Sequence, residues 1–165
     1  MKKVILCFLL LLFFGCGSSG PTFKEMSNTI PQLSQEKIRL FFMRPDGFEY
    51  VMRDAPITLN DEDIGDLPNE SFFYIDMAPK NLSMETSLWD VFGKSTLSFK
   101  PEAGGTYYIV VNPREESLEA FLKGGILGTI IESLNKKTGG AFAMDLIDEK
   151  TAKEMLTNLE FESEP

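Results

Sequence analysis

The chain has 165 residues, with 25 acidic and 16 basic side chains and a formal net charge of −9. An acidic protein of this kind repels phosphate backbones, so we expect no nucleic-acid partner. It contains no histidine, which excludes Ser–His–Asp and Cys–His nucleophiles and every His-ligated metal site. We therefore predict no catalytic residues, no cofactor and no metal ion.

The N-terminus has the layout of a secretory signal peptide. Lys2 and Lys3 precede the apolar run 4–14, which is too short to span a membrane because a span needs about 20 apolar residues. Residues 1–15 are therefore predicted to be a signal peptide that is removed.

Cys16 stands at the border between this apolar run and a polar stretch, with Gly15 and Gly17 on either side. This arrangement resembles the bacterial lipobox, whose cysteine becomes the lipidated N-terminus. Phe13 and Phe14 stand where that motif usually has leucine and a small residue, so the alternative is an ordinary signal peptide without lipidation. We predict that Cys16 is lipidated and that its acyl chains hold the protein on a membrane.

The segment 16–35 is predicted to be the lipidated N-terminus and a flexible tether, since it is rich in Gly, Ser, Pro and Asn. A random coil of this length has a reach of about 25 Å. Residues 36–160 are long enough to form one ordinary domain with its own hydrophobic core.

Residues 37–112 predict an antiparallel β-sandwich or barrel, because short segments of alternating apolar and polar side chains are separated by turn residues. In the first segment Ile38, Leu40 and Phe42 share one face. The predicted strands are, in chain order, "KIRLFFMR", "FEYVMR", "PITLN", "EDIGDL", "SFFYIDM", "LSMETSLW", "KSTLSFK" and "TYYIVVN".

After Pro113 the apolar spacing changes to that of a helix, which is predicted over 115–137. Gly124 and Gly125 should interrupt this helix. Its second half carries an apolar stripe that we expect to pack on the sandwich, with helix–helix self-association as the alternative. The stripe consists of Leu127, Ile130, Ile131 and Leu134.

The C-terminal part predicts one more strand in "TGGAFAMDLID" and a short helix in "DEKTAKEMLTNLE", capped by Asp148 or Thr151. The predicted fold class is therefore α+β: mainly an antiparallel β-sandwich, with a Gly-interrupted helix and a short C-terminal helix.

Three ordered segments carry a family resemblance: "LFFMRP" (40–45), "ITLNDEDIGDLPNESFFYIDMAP" (57–79) and "PEAGGTYYIVV" (101–111). Together they make residues 33–112 similar to a family of bacterial lipoproteins named domain of unknown function 2846. The segments 124–134 and 141–156 also resemble the C-terminal half of that family. Asp61 replaces the family's turn glycine, and "PKNL" (79–82) replaces its "PG.H". The resemblance implies the fold and a location in the cell envelope, but no catalytic activity.

The acidic segment "NDEDIGD" (60–66) has two interpretations. Asp61, Asp63 and Asp66 could bind Ca²⁺, but a Ca²⁺ loop counted from Asp61 needs a glutamate at its twelfth position, where this chain has Phe72. We therefore favour a solvated hairpin tip.

Two further motifs have a ligand-binding and a structural interpretation. Arg44 in "RPDG" could present its guanidinium to a ligand, although Pro-Asp-Gly is more typical of a turn. Tyr107 and Tyr108 could stack on a glycan, although core packing is favoured.

The sequence thus predicts a non-enzymatic, lipid-anchored protein of the cell envelope that is a structural or protein-binding module. Its expected partners are the membrane, through the lipid on Cys16, and another envelope protein. Gly17 instead of aspartate after the cysteine favours the outer membrane, facing the periplasm. The alternative is a glycosidase-like hydrolase, which needs two carboxylates about 5 Å or about 6.5–9.5 Å apart across a cleft.

Overall fold

The computed structural model of the protein describes residues 20–48, 50–114 and 139–162. The predicted signal peptide 1–15, the predicted lipidation site Cys16 and the predicted Gly-interrupted helix lie outside the described residues.

The described chain is mostly β and forms two sheets with two short helices. The five-stranded sheet contains, in spatial order, β8 (Phe142–Ile147), β7 (Thr106–Pro113), β1 (Ile38–Arg44), β4 (Ser71–Met77) and β9 (Glu160–Phe161). The four-stranded sheet contains β3 (Glu62–Leu67), β2 (Ala55–Leu59), β5 (Leu82–Thr86) and β6 (Ser95–Phe99). The helices are α1 (Phe23–Met26) and α2 (Glu149–Leu156). A sandwich-like α+β fold is therefore confirmed.

Strand β1 lies at the centre of the five-stranded sheet, antiparallel to β4 and parallel to β7. Strand β9 is parallel to β4, while every other pairing is antiparallel. The prediction of a mainly antiparallel sandwich is confirmed, although two of the strand pairs are parallel. A parallel pair needs a long crossover, and here most of the chain between β1 and β7 forms the second sheet and β4.

The two sheets face each other across one hydrophobic core, to which every strand except β9 contributes. Ile38, Leu40 and Phe42 share the inward face of β1, as their alternation predicts. A fully buried side chain of this size stabilises the fold by about 1.5–3 kcal/mol. The inner core consists of Ile38, Leu40, Phe42, Ala55, Ile57, Leu59, Leu67, Phe73, Leu82, Met84, Leu88, Ile109, Val111, Ala141, Phe142 and Met144.

A second cluster covers the outer face of the five-stranded sheet. It joins the outward side chains of β1, β4 and β7 to α2 and to residues on either side of it. The helix begins at Asp148, whose Oδ1 accepts hydrogen bonds from Lys150 N (3.0 Å) and Thr151 N (3.1 Å), which confirms the predicted cap. The buried members of this outer cluster are Phe41, Met43, Phe72, Tyr108, Val110, Ala152, Leu156 and Leu159.

The N-terminal segment 20–30 is part of the domain, although the sequence predicts a flexible tether over 16–35. Phe23, Met26 and Ile30 pack against the outer cluster, and the Phe23 ring meets that of Phe72 edge to face at 5.5 Å. This apolar face is partly buried, and it covers a part of the outer side of the sheet that α2 alone does not cover.

The strand predicted at 48–53 does not form. Tyr50 has a φ of 56°, and Arg53 N donates a hydrogen bond to Tyr50 O at 3.0 Å, so the chain turns here. Tyr50 packs against the inner core. The apolar side chains around it are exposed, because a turn removes the two-residue alternation on which the prediction depended.

An ion pair joins β1 to β4 on the outer face of the sheet. Arg39 lies opposite Asp76 in the ladder, with Nε to Oδ1 at 2.6 Å and Nη2 to Oδ2 at 2.7 Å. The Arg39 side chain is only 7% exposed, and its guanidinium lies over the Tyr74 ring. The hydrogen bond to Asp76 raises the pKa of Arg39 above its ordinary value. Two parallel charge-assisted bonds of this kind are strong and directional.

Replacing Asp76 with alanine should lower the free energy of unfolding by about 3 kcal/mol, because Arg39 would stay buried without a counter-charge. Asp90→Ala is the matched control, since it breaks a more exposed ion pair with Arg53 and should change stability far less. Urea unfolding measures both. A wild-type midpoint for Asp76→Ala would mean that the burial of Arg39 does not depend on this carboxylate.

Candidate functional site

Three described loops emerge at the same end of the sandwich, which we name the loop end: 45–54, 68–70 and 87–94. The end of β1 lies beside the start of β4 in one sheet, where Arg44 pairs with Ser71. The starts of β2 and β6 lie at the corresponding end of the other sheet. The two sheets are joined there by Arg44, the last residue of β1.

Arg44 is completely buried at the loop end. Its Nη1 donates to Arg53 O (2.5 Å) and Leu67 O (3.1 Å), and its Nη2 donates to Tyr50 O (2.7 Å). Its guanidinium lies 4.8 Å from the centre of the Phe142 ring, and desolvation lowers its pKa. Arg44 therefore does not present its charge to a ligand; it holds the loop 45–54 in place by binding backbone carbonyls.

The loop end carries large apolar side chains that are almost fully exposed. Phe48 is 88% exposed, Met52 91% and Trp89 92%. Val51, at 43%, lies in the same loop as Phe48 and Met52. We name Phe48, Val51, Met52 and Trp89 the apolar tips. Exposed apolar groups gathered in one region mark interaction sites, whereas single scattered ones need no explanation.

A salt bridge ties together the two loops that carry the apolar tips. Arg53 follows Met52 and Asp90 follows Trp89, and both Arg53 Nη atoms contact Asp90 Oδ atoms at 2.8 Å. The pairing raises the pKa of Arg53 and lowers that of Asp90. Because the fork is bidentate, it sets the orientation of the loops as well as their distance.

Several carboxylates lie on the loops of the loop end, close in sequence to the apolar tips or on a neighbouring loop. Asp46, Asp54 and Glu70 are exposed at the loop end, and none of them makes an ion pair with another described residue. Of the nearby cations, Arg53 and Lys94 each have a carboxylate partner, at 2.8 Å and 2.6 Å, and Arg114, which follows β7, is half-buried. The described part of this end therefore combines an apolar centre with an acidic rim.

The acidic segment 60–66 begins at the opposite end, where residues 60 and 61 join β2 to β3. The rest of it lies in β3, which runs back towards the loop end, so that Asp66 pairs with Pro56 near the start of β2. Asn60 and Asp61 have φ values of 51° and 68°, as a two-residue hairpin turn requires. Asp63 Oδ1 accepts a hydrogen bond from Gly65 N at 3.0 Å. Across 20–48, 50–114 and 139–162, no group of three or more Asp, Glu, Cys or His side chains is placed to hold a metal ion.

The two tyrosines of β7 are packed rather than presented. Tyr108 is buried and its ring stacks on Phe41 at 5.3 Å. The Tyr107 ring packs on Phe99 at 5.1 Å, and its hydroxyl accepts a hydrogen bond from Glu102 N at 2.7 Å. Both rings thus pack against other aromatic side chains, which supports the core interpretation of this motif.

An open depression at the end opposite the loop end does not provide a pair of carboxylates. Its lining contains one acidic side chain, Glu102, whereas a glycosidase needs two across a cleft. Elsewhere, burial raises the pKa of Asp66, helped by the charges of Asp54 and Asp63, but Asp66 is exposed on the sheet surface. The depression is lined by Pro79, Lys80, Lys100, Pro101, Glu102 and Ala103.

Of the apolar tips, only Trp89 has a signal in the sequence that predicts its exposure. Leu82, Met84, Thr86 and Leu88 share the inward face, so alternation places Trp89 on the other side. Phe48 and Met52 could not be recognised in this way, because their segment matched a strand that does not form.

The comparisons with known proteins give no relative: no family model, no curated protein and no solved structure matches this chain. Within the described residues, neither helix has the length and apolar character needed to cross a membrane.

Replacing Arg44 with alanine should lower the free energy of unfolding by about 3 kcal/mol or more, since it leaves three carbonyl oxygens without their donor. Arg44→Lys should recover only part of this loss, because an ammonium lacks the planar fork that reaches all three. Urea unfolding ranks the variants. Full recovery by lysine would mean that positive charge alone, without the fork, is what the site requires.

Proposed function

We propose that this protein is a non-enzymatic lipoprotein of the cell envelope, anchored through acyl chains on Cys16, and that it binds another envelope protein through the loop end. Its location is the outer membrane, facing the periplasm. The protein belongs, in this proposal, to the lipoprotein family of domain of unknown function 2846 that residues 33–112 resemble.

The N-terminal pattern supports the anchoring part of the proposal. The basic residues, the short apolar run and a cysteine between glycines occur in the order of a lipoprotein signal. The proposal also retains the Gly-interrupted helix predicted over 115–137.

The exposure of Trp89, Met52 and Phe48 at one end is the observation on which the binding role depends. Aromatic residues and methionine are enriched at protein interfaces, and tryptophan is frequent among the residues that dominate binding energy. The acidic rim disfavours anionic lipid and nucleic acid as the occupant. The partner that fits is a protein with an apolar groove bordered by lysine and arginine, because such a surface complements both the tips and the rim.

Lipidation is tested by metabolic labelling with a clickable fatty acid. The wild-type protein should be labelled and Cys16→Ser should not, since the thiol is the only group replaced. Immunoblotting of both variants controls for expression. Equal labelling of the two, or labelling of neither, would contradict the anchor on Cys16.

Binding by the loop end is tested with a photo-crosslinking residue placed in cells at position 89, and the adduct is identified by mass spectrometry. With the identified protein purified, Trp89→Ser should weaken binding by on the order of 30-fold, as for a residue worth about 2 kcal/mol. Leu146→Ser is the matched control, because Leu146 is an exposed apolar residue on β8, away from the loop end. Equal weakening by both variants, or by neither, would contradict a role for the apolar tips.

A further inference from the structure

Only a short piece of chain separates Cys16 from the folded domain. Thr22 forms an antiparallel bridge with Glu160 of β9, and Pro21 O accepts a hydrogen bond from Phe161 N at 2.9 Å. A Cβ added at Gly20 would collide with the Phe161 carbonyl. The chain is therefore already attached to the domain at Gly20.

The length of the remaining piece limits how far the domain can be from the lipid. Four residues lead from Cys16 to Gly20, and even a fully extended chain covers at most about 3.6 Å per residue, or about 14 Å in all. This limit holds for any conformation of those residues. It is well below the reach of about 25 Å expected for a tether that continues to residue 35.

From this limit we infer that the domain lies against the membrane with one particular edge towards the lipid. This N-terminal edge consists of Gly20, Pro21, Phe161 and Glu162. The inference depends on the proposed lipidation of Cys16 and adds to it an orientation. The N-terminal edge thus contacts the lipid surface, whereas the loop end is free to bind a protein.

The sheet order defines which side of the domain is then furthest from the membrane. Strand β9 is at one edge of the five-stranded sheet and β8 at the other. Four steps between neighbouring strands separate them, which is about 19 Å. Strand β6 lies beside β8, since Ser95 Oγ accepts a hydrogen bond from Met144 N at 3.2 Å. The β6–β8 side therefore faces away from the lipid.

The short connection, and not charge, holds the N-terminal edge near the membrane. Glu25, Glu160 and Glu162 lie at or beside this edge, together with Lys24. Because the carboxylates outnumber the lysine, an anionic lipid surface would not attract the edge. The orientation should accordingly form on zwitterionic vesicles.

The test measures energy transfer from a fluorophore on the protein to headgroup-labelled acceptor lipid in phosphatidylcholine vesicles. The lipidated protein is reconstituted with one introduced cysteine, either Glu162→Cys at the N-terminal edge or Thr96→Cys on β6. Each introduced thiol is unique, since Cys7 is removed with the signal peptide and Cys16 is blocked by the lipid. We expect several-fold stronger transfer from position 162 than from position 96.

The matched control inserts a flexible Gly/Ser linker of about 16 residues between positions 19 and 20, which leaves the domain unchanged. The difference between the two positions should then disappear, because the free chain has the reach of a long tether. Equal transfer without the insertion, or stronger transfer from position 96, would overturn the inference. Absence of fatty-acid labelling would instead overturn the proposed anchor, and the orientation with it.

Discussion

The double burial of β1 is the constraint on which the rest of the structure depends. All seven residues of this strand are buried, because the four-stranded sheet covers one face and the helices cover the other. Its inward side chains, such as Leu40 and Phe42, need the second sheet. Its outward side chains, Phe41 and Met43, need α2 and the N-terminal segment 20–30. The three-layer arrangement is the consequence of one strand that is apolar on both sides.

Two arginines of β1 show how alternation assigns different roles to the same residue type. Arg39 points to the outer face, where a carboxylate neutralises it. Arg44 points inward and has backbone carbonyls and an aromatic ring as its partners. The first stabilises the pairing of two strands, whereas the second determines the path of a loop. The apolar tips of the loop 45–54 are thus positioned by a cation that never reaches solvent, whereas Trp89 depends on the ion pair between Arg53 and Asp90.

Most strands could be predicted because each one obeys a local rule. Alternation identified β1, β5 and β6, and the turn residues Asn60 and Asp61 marked the boundary between β2 and β3. The parallel pairing of β1 with β7 is not visible in local periodicity, since it joins segments far apart in the chain. The packing of Phe23 against the outer cluster was not predicted, because the Gly- and Ser-rich composition of the segment indicates a flexible tether and does not show tertiary contacts. The candidate site was predictable only at Trp89, where the alternation still applies.

The position of β7 in the chain also determines the order in which the domain can fold. The hairpins β2–β3 and β5–β6 join neighbouring segments, so their loops close at little entropic cost. The central strand β1, by contrast, pairs with β7, and the strands β2 to β6 all lie between these two in the chain. Contacts of such long range slow folding. The joining of β7 to β1 is therefore expected to be the slow step in the folding of this domain.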